Sequence, residues 1–236
     1  MTIRTANAYP LFYARLAGFL YLLVIPLGIF GALYVSSRLI VPGDAARTAD
    51  NIMNSEALFR LGIVSDLLAS LVMLLMVLVL YPLLKPVNKN VALLMVSCVL
   101  VGASIAMLNK LNQFAALLLL SGADYLSVFT TDQLQSLAFL FLRLHSRGNS
   151  IAFLFWGLWL FPLGYLVFKS GFLPRILGIL LMIACFGYVI NSFASFLGYT
   201  VNVGMFAALA EVLFIFWLLI KGVNVEQWEK RALESA

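Results

Sequence analysis

Long apolar runs separated by short polar breaks organise this chain. They are Leu16–Val35, the stretch following Glu56, Val91–Leu108 with its continuation Phe114–Leu120, Ser150–Phe168, Arg175–Phe196 and Val203–Ile220. About 20 apolar residues at 1.5 Å each cross the ~30 Å hydrocarbon core of a bilayer. The pattern therefore predicts six spans, at about 14–36, 56–84, 91–113 (extending to 121), 149–169, 175–197 and 203–221. The first run is longer than the apolar part of a secretion signal and no small-x-small site follows it, so it is expected to persist as a span. The fold class is all-α: a single membrane domain, a polytopic transmembrane helical bundle with both termini cytoplasmic and a short helical cap on the outer side.

Local signals place the breaks. Pro26 frees the Leu22 carbonyl and predicts a kink in the first span. Pro42-Gly43-Asp44 reads as a turn that ends in a helix cap, with Asp44 bonding the free amides of a short helix over 44–54. Pro82, Lys85, Pro86 and Lys89 close the second span. Gly122-Ala123-Asp124 ends the third, and Thr131 or Asp132 starts a helix over 131–147. Its apolar part, Leu134–Leu144, is too short to span, so Phe139 and Phe141 are expected to pack on Phe114–Leu120 outside the membrane. His145, Arg147, Gly148 and Asn149 predict a break before the fourth span. Pro26-Leu27-Gly28 and Pro162-Leu163-Gly164 recur in the first and fourth spans, a faint hint of the inverted three-plus-three repeat of many transporters.

Composition agrees. Of 236 residues, 64% are hydrophobic and 11% charged, against about 25% charged in soluble domains. Mean hydropathy is +1.05. The 15 Lys and Arg against 10 acids are thus an orientation signal rather than a mark of nucleic-acid binding. With the N-terminus inside, nine basic residues fall on the inner side (Arg4, Arg15, Lys85, Lys89, Lys169, Arg175, Lys221, Lys230, Arg231) and six on the outer (Arg38, Arg47, Arg60, Lys110, Arg143, Arg147). Cys98 and Cys185 lie in apolar runs and read as small hydrophobes. One histidine and no polar cysteine pair exclude the usual multi-His metal site, and no cofactor motif, P-loop, H-E-x-x-H, G-x-S-x-G or C-x-x-C occurs.

The candidate chemistry is polar residues within apolar runs. Asn109, Lys110, Asn112 and Gln113 interrupt the third span; Asn109, Asn112 and Gln113 share a face by i, i+3, i+4 spacing. Asp66 and Glu211 are carboxylates within the second and sixth spans, where an ion needs a partner. Counted along the helices, these residues, Asn191 and Ser192, and Arg143, His145 and Asn149 fall at one level in the outer half of the bundle. The pairings left open are Lys110 with Asp66 or Glu211, and Arg60 or Arg143 with the other acid. Against this stands a plainer role for the polar groups as interhelical glue, or for Lys110 as a side chain reaching the interface.

Val41-Pro42-Gly43-Asp44-Ala45, Leu58 to Asp66, Leu84-Lys85-Pro86-Val87-Asn88, Leu144-His145 with Gly148, and Gly164 through Ser170–Arg175 to Gly178 together resemble a family of prokaryotic integral membrane proteins catalogued as a domain of unknown function. The resemblance covers about residues 10–220. It implies six spans in a prokaryotic plasma membrane, draws attention to Asn51, Arg60, Asp66, His145 and Arg175, and assigns no activity. The expected partner is the lipid bilayer, and a homo-oligomer is compatible with the chain. Three functions remain open. The first is binding or transport of a small amphiphilic or lipid-like ligand in an outward-facing pocket of Asp66, Asn109, Lys110, Asn112, Gln113, Glu211, Arg60, Arg143 and His145. The second is a membrane enzyme acting on a lipid or prenyl substrate, with Asp66, Glu211 or His145 as acid or base. The third is a structural or regulatory subunit of a membrane complex.

Overall fold

The computed structural model describes the backbone of residues 3–199, 201 and 204–234 and the side chains of 9–199, 201 and 208–234. The side chain of Arg4, counted above on the inner side, and Val203, the expected start of the sixth span, lie outside the described residues. Every regular element among the described residues is helical. In order they are α1 (Ile3–Gly28), a π-helical stretch Ile29–Val35, α2 (Ser36–Leu39), α3 (Ala45–Asn54), α4 (Glu56–Leu84), α5 (Lys89–Leu119), a short 3-10 turn Asp124–Leu126, α6 (Thr131–Leu158), α7 (Leu160–Ser170), α8 (Arg175–Phe196), α9 (Gly204–Ile220) and α10 (Val225–Glu234). Five helical stretches are long and apolar enough to cross a membrane: Tyr9–Leu39, Glu56–Leu84, Lys89–Leu119, Thr131–Ser170 and Arg175–Phe196. The count becomes six if the bent pair Ala208–Ile220 and Val225–Glu234, which turns by 100°, is one span.

One local expectation holds. Asp44 caps α3, its Oδ1 accepting the Arg47 amide at 2.9 Å. The chain remains helical through Pro26 and widens to π geometry from Ile29. Proline has no N–H to give to Leu22, and π-turns are a common way for a helix to absorb such a missing bond. One expectation fails. No break separates residues 131–147 from the fourth span: α6 runs unbroken through His145, Gly148 and Asn149, and the interruption comes at Trp159. Gly148 serves instead as a point of close approach. A Cβ there would lie 2.8 Å from Asn109 Nδ2, so glycine lets α5 and α6 meet. The Thr131–Ser170 stretch has 40 residues, roughly 60 Å of helix and about twice a hydrocarbon thickness. Part of it therefore extends beyond a bilayer.

The chain forms two compact units. One comprises residues up to Leu23, Val72–Ala103 and those from Ser150 onward; the other comprises Val24–Leu71 and Ser104–Asn149. In the first, Met76, Leu80, Leu83, Leu84, Met95, Leu160 and Leu163 are wholly buried. There α7 and α8 cross glycine on glycine, a Cβ on either Gly164 or Gly178 falling 2.6 Å from the other's carbonyl oxygen. Gly28, its counterpart in the faint repeat, has nothing within 4 Å, so the two Pro-Leu-Gly segments are packed differently. Cys98 and Cys185 are both free thiols. After α9 the chain reverses at Gly222, whose φ of +67° suits glycine. Trp228 of α10 then donates its indole N–H to the Leu83 carbonyl at 2.9 Å, so the tail's tryptophan caps the C-terminus of α4.

In the second unit, Val35, Leu39, Ile52, Phe59, Ile63, Ala116, Leu117, Ala138 and Leu142 form one apolar core. Residues 131–147 do pack on the end of α5, but through Ala138 and Leu142, with Phe141 at the rim. Phe114 is 39% exposed and stays outside that core. Asn51 ties α3 to the turn before it, donating to the Leu39 carbonyl at 3.3 Å.

Candidate functional site

The second unit assembles a polar cluster from three helices, α4, α5 and α6. On α5, Asn109, Lys110 and Gln113 are 8%, 4% and 6% exposed. They occupy consecutive turns of one helix, so one face of α5 is polar where its Leu108 and Leu111 face outward at 67% and 65% exposure. Lys110 Nζ lies 2.6 Å from Asp66 Oδ2 on α4 and 3.1 Å from His145 Nε2 on α6. An ammonium only donates, so the imidazole accepts at Nε2 and carries its proton on Nδ1. Two of the three Lys110 N–H groups are thereby used. The cation needs such partners, because apolar surroundings offer an ion no other solvation.

A second layer holds the first in place. Asn109 Nδ2 donates to the His145 carbonyl at 2.7 Å and to Asn149 Oδ1 at 2.9 Å. Asn112 Nδ2 donates to Asn109 Oδ1 at 2.9 Å, fixing that amide's orientation. On the other side, Asp66 sits over the π-helical stretch: a Cβ on Gly31 would fall 2.6 Å from Asp66 Cγ and 2.8 Å from the Gly62 carbonyl oxygen. Ser65 Oγ donates to the Leu27 carbonyl at 2.9 Å, which joins α4 to the last turn of α1. One group is left over. Gln113 Oε1 is buried with no hydrogen-bond partner, and an unpaired buried acceptor costs about 1–3 kcal/mol.

The expected residues are thus divided. Asp66, Asn109, Lys110, Asn112 and His145 are joined by hydrogen bonds, and Gln113 stands one turn beyond Asn109. Of the two acids left open for Lys110, the bond is to Asp66. Arg60 is not in the cluster; it pairs along its own helix with Glu56 at 2.6 Å, both side chains being about half exposed. The i, i+4 spacing on α4 offers Arg60 a wet partner, whereas an interior acid would require desolvating it. Arg143 is exposed. Glu211 belongs to the other unit and has different partners: the phenols of Tyr21 and, at 2.7 Å, Tyr188 donate to its two oxygens. Ser192 is buried in the same unit as Glu211.

Small residues in the first span, Gly28 and Gly31, are expected to allow close helix approach, and Gly31 does so against α4. Sequence reasoning missed Tyr21, Tyr188 and the true role of Gly148. The tyrosines carried a signal: a hydroxyl in an apolar span has no water to bond and must find a partner. Gly148 carried none, because what it accommodates comes from another helix. Among the described residues no group of three or more His, Cys, Asp or Glu is placed to hold a metal ion.

Residues 16–222 match the profile of the family described as Domain of unknown function (DUF4386). The chain is also similar to an uncharacterized protein of Archaeoglobus fulgidus, 35% identical over 150 residues that cover 63% of this chain and 75% of the relative. No solved structure matches it.

Proposed function

The chain belongs to the family described as Domain of unknown function (DUF4386), and we propose that it binds a small amphiphilic, lipid-like molecule at the Asp66–Lys110–His145 cluster, as the ligand site of a transport or carrier protein. The observation that carries this reading is Gln113 Oε1, a buried acceptor without a partner on the helix that carries Lys110 to Asp66 and His145. A bound molecule with a hydroxyl or amine would satisfy it. Lys110, with one N–H beyond those given to Asp66 and His145, would meet an acceptor on the same head group. Ile63 and Leu117, one helical turn from Asp66 and Gln113, belong to an apolar core, which would favour a molecule with a hydrocarbon part. Helix length supports a position near one membrane face: Asp66 to Leu84 is about 27 Å of helix and Lys89 to Lys110 about 31 Å, each close to one hydrocarbon thickness. The positive-inside bias favours the outer face of the plasma membrane, with the N-terminus and C-terminus in the cytoplasm.

The test is the set of small molecules retained on purification, read by native mass spectrometry of the intact protein. The reading expects a stoichiometric adduct in the wild type, lost in Gln113→Leu and in Lys110→Met while both remain folded. Retention unchanged in Gln113→Leu, or no adduct at all under conditions that preserve membrane lipids, refutes it. A second reading draws on the Asp66–Lys110–His145 contacts, which form a chain along which a proton can move. It makes the cluster the acid–base centre of an enzyme acting on a lipid. Turnover of a lipid by the purified protein, abolished in Asp66→Asn, would favour it over carriage.

A further inference from the structure

The first unit contains a carboxylate that the Asp66 cluster leaves unexplained. Glu211 is the one charged residue within Ala208–Ile220, on α9. Tyr21 of α1 and Tyr188 of α8 each donate a phenol hydrogen to one of its oxygens. These two phenols are the titratable groups that face it. No lysine, arginine or histidine among the described residues forms an ion pair with it. Tyr21 is 4% exposed and its ring meets Trp159, wholly buried, edge to face at 5.6 Å between centroids. The surroundings are therefore aromatic and apolar.

Phenol donors occupy lone pairs but cancel no charge. Asp66 has the Lys110 ammonium; Glu211 has no equivalent among the described residues, although a lone ion in hydrocarbon is strongly disfavoured. A proton is the smallest cation that removes the charge, and it needs no cavity. It would sit on one carboxyl oxygen, and the phenol there would turn from donating to accepting, which a tyrosine hydroxyl can do. When the proton leaves, both phenols donate again, as the structure has them. We propose that Glu211 is a proton-binding site within the apolar span, taking up and releasing one proton, with Tyr21 and Tyr188 as positioning residues whose hydrogen bonds adapt to both states. This does not rest on the ligand reading of the Asp66 cluster, which lies in the other unit.

Infrared difference spectroscopy of the protein in lipid reads the carbonyl band of a protonated carboxyl directly. The expected result is a band that disappears as pH rises, is absent from Glu211→Gln and persists in Asp66→Asn. Tyr188→Phe removes one donor to the ionised form, so its band should survive to a pH higher by about one unit or more. Because Tyr188→Phe keeps the ring, it tests the proposal even if Glu211→Gln folds poorly. Dicyclohexylcarbodiimide, which attacks protonated carboxyls in apolar surroundings, should label the Glu211 peptide and spare Asp66. Absence of a titrating carboxyl band in the wild type overturns the proposal, as does a band unchanged in Glu211→Gln or a midpoint unmoved in Tyr188→Phe.

Discussion

Replacing Lys110 by methionine keeps the length of the side chain and removes its charge. Asp66 is then left 13% exposed with no cation; Lys110 itself is 5% exposed. Breaking a buried pair from one side costs about 3–5 kcal/mol. A second route to the magnitude agrees. The stranded carboxylate can escape by taking a proton, which at pH 7 costs about 4 kcal/mol from an ordinary value near 3.9. The expected loss is thus about 3–4 kcal/mol, or roughly 6–16 °C in Tm for a chain of this size. The sign with pH follows. The folded variant then binds a proton that its unfolded chain does not, so lowering the pH favours the folded form. By pH 5 the same proton costs only about 1.5 kcal/mol, and the deficit against wild type should shrink accordingly. The double variant Lys110→Met/Asp66→Leu removes both charges. It should recover at least about 2 kcal/mol relative to the sum of the single changes. Arg60→Met, which breaks the exposed Arg60–Glu56 pair, should cost under about 0.5 kcal/mol. The assay is thermal unfolding in detergent micelles at two pH values, followed by tryptophan fluorescence. A Lys110→Met protein as stable as wild type at pH 7, or additive single and double changes, would refute a buried, coupled ion pair.

Other expectations concern the groups that shape the cluster and the fold. Gly31→Ala would force its new methyl against Asp66 Cγ and the Gly62 carbonyl and should cost about 1–3 kcal/mol, while Gly28→Ala, facing open space, should stay within about 0.5 kcal/mol of wild type; thermal unfolding of the pair reads the difference. Gln113→Leu removes an orphaned acceptor, so ligand-free protein should gain stability, by about 1 kcal/mol or more, and a loss would show that the amide is bonded. Trp228→Phe loses the bond to the Leu83 carbonyl, worth about 1 kcal/mol, and should speed proteolysis of α10 at otherwise unchanged Tm. Asp44→Ala removes the cap on Arg47 N, and about 1 kcal/mol of local protection should vanish from amide exchange over 45–54.

Much of this architecture is legible in the order of apolar and polar residues. The runs give α4 and α3 their limits because turn and cap chemistry, Pro42-Gly43-Asp44 and Pro86, acts over neighbouring residues. The misplaced break shows where that logic ends. Gly148 and Asn149 look like a helix stop, yet glycine costs a helix only about 1 kcal/mol, and here it permits the close approach of Asn109. Lys110 finding Asp66 rather than Glu211 was open in the sequence, since spacing along a helix sets a level and not a neighbour. Arg60 went to Glu56 because a wet partner four residues away is cheaper than a buried one. One phenol on Glu211 comes from Tyr21, 190 residues away, and only packing in three dimensions brings the two together.

A ligand in the proposed Asp66–Lys110–His145 site, its polar head satisfying Gln113, would be visible by electron cryomicroscopy of the protein in lipid nanodiscs. The expected result is elongated density with its head within hydrogen-bonding distance of Gln113 Oε1 and Lys110 Nζ. A closed cluster, with Gln113 Oε1 bonded to a protein group and no density beside Lys110, would contradict it.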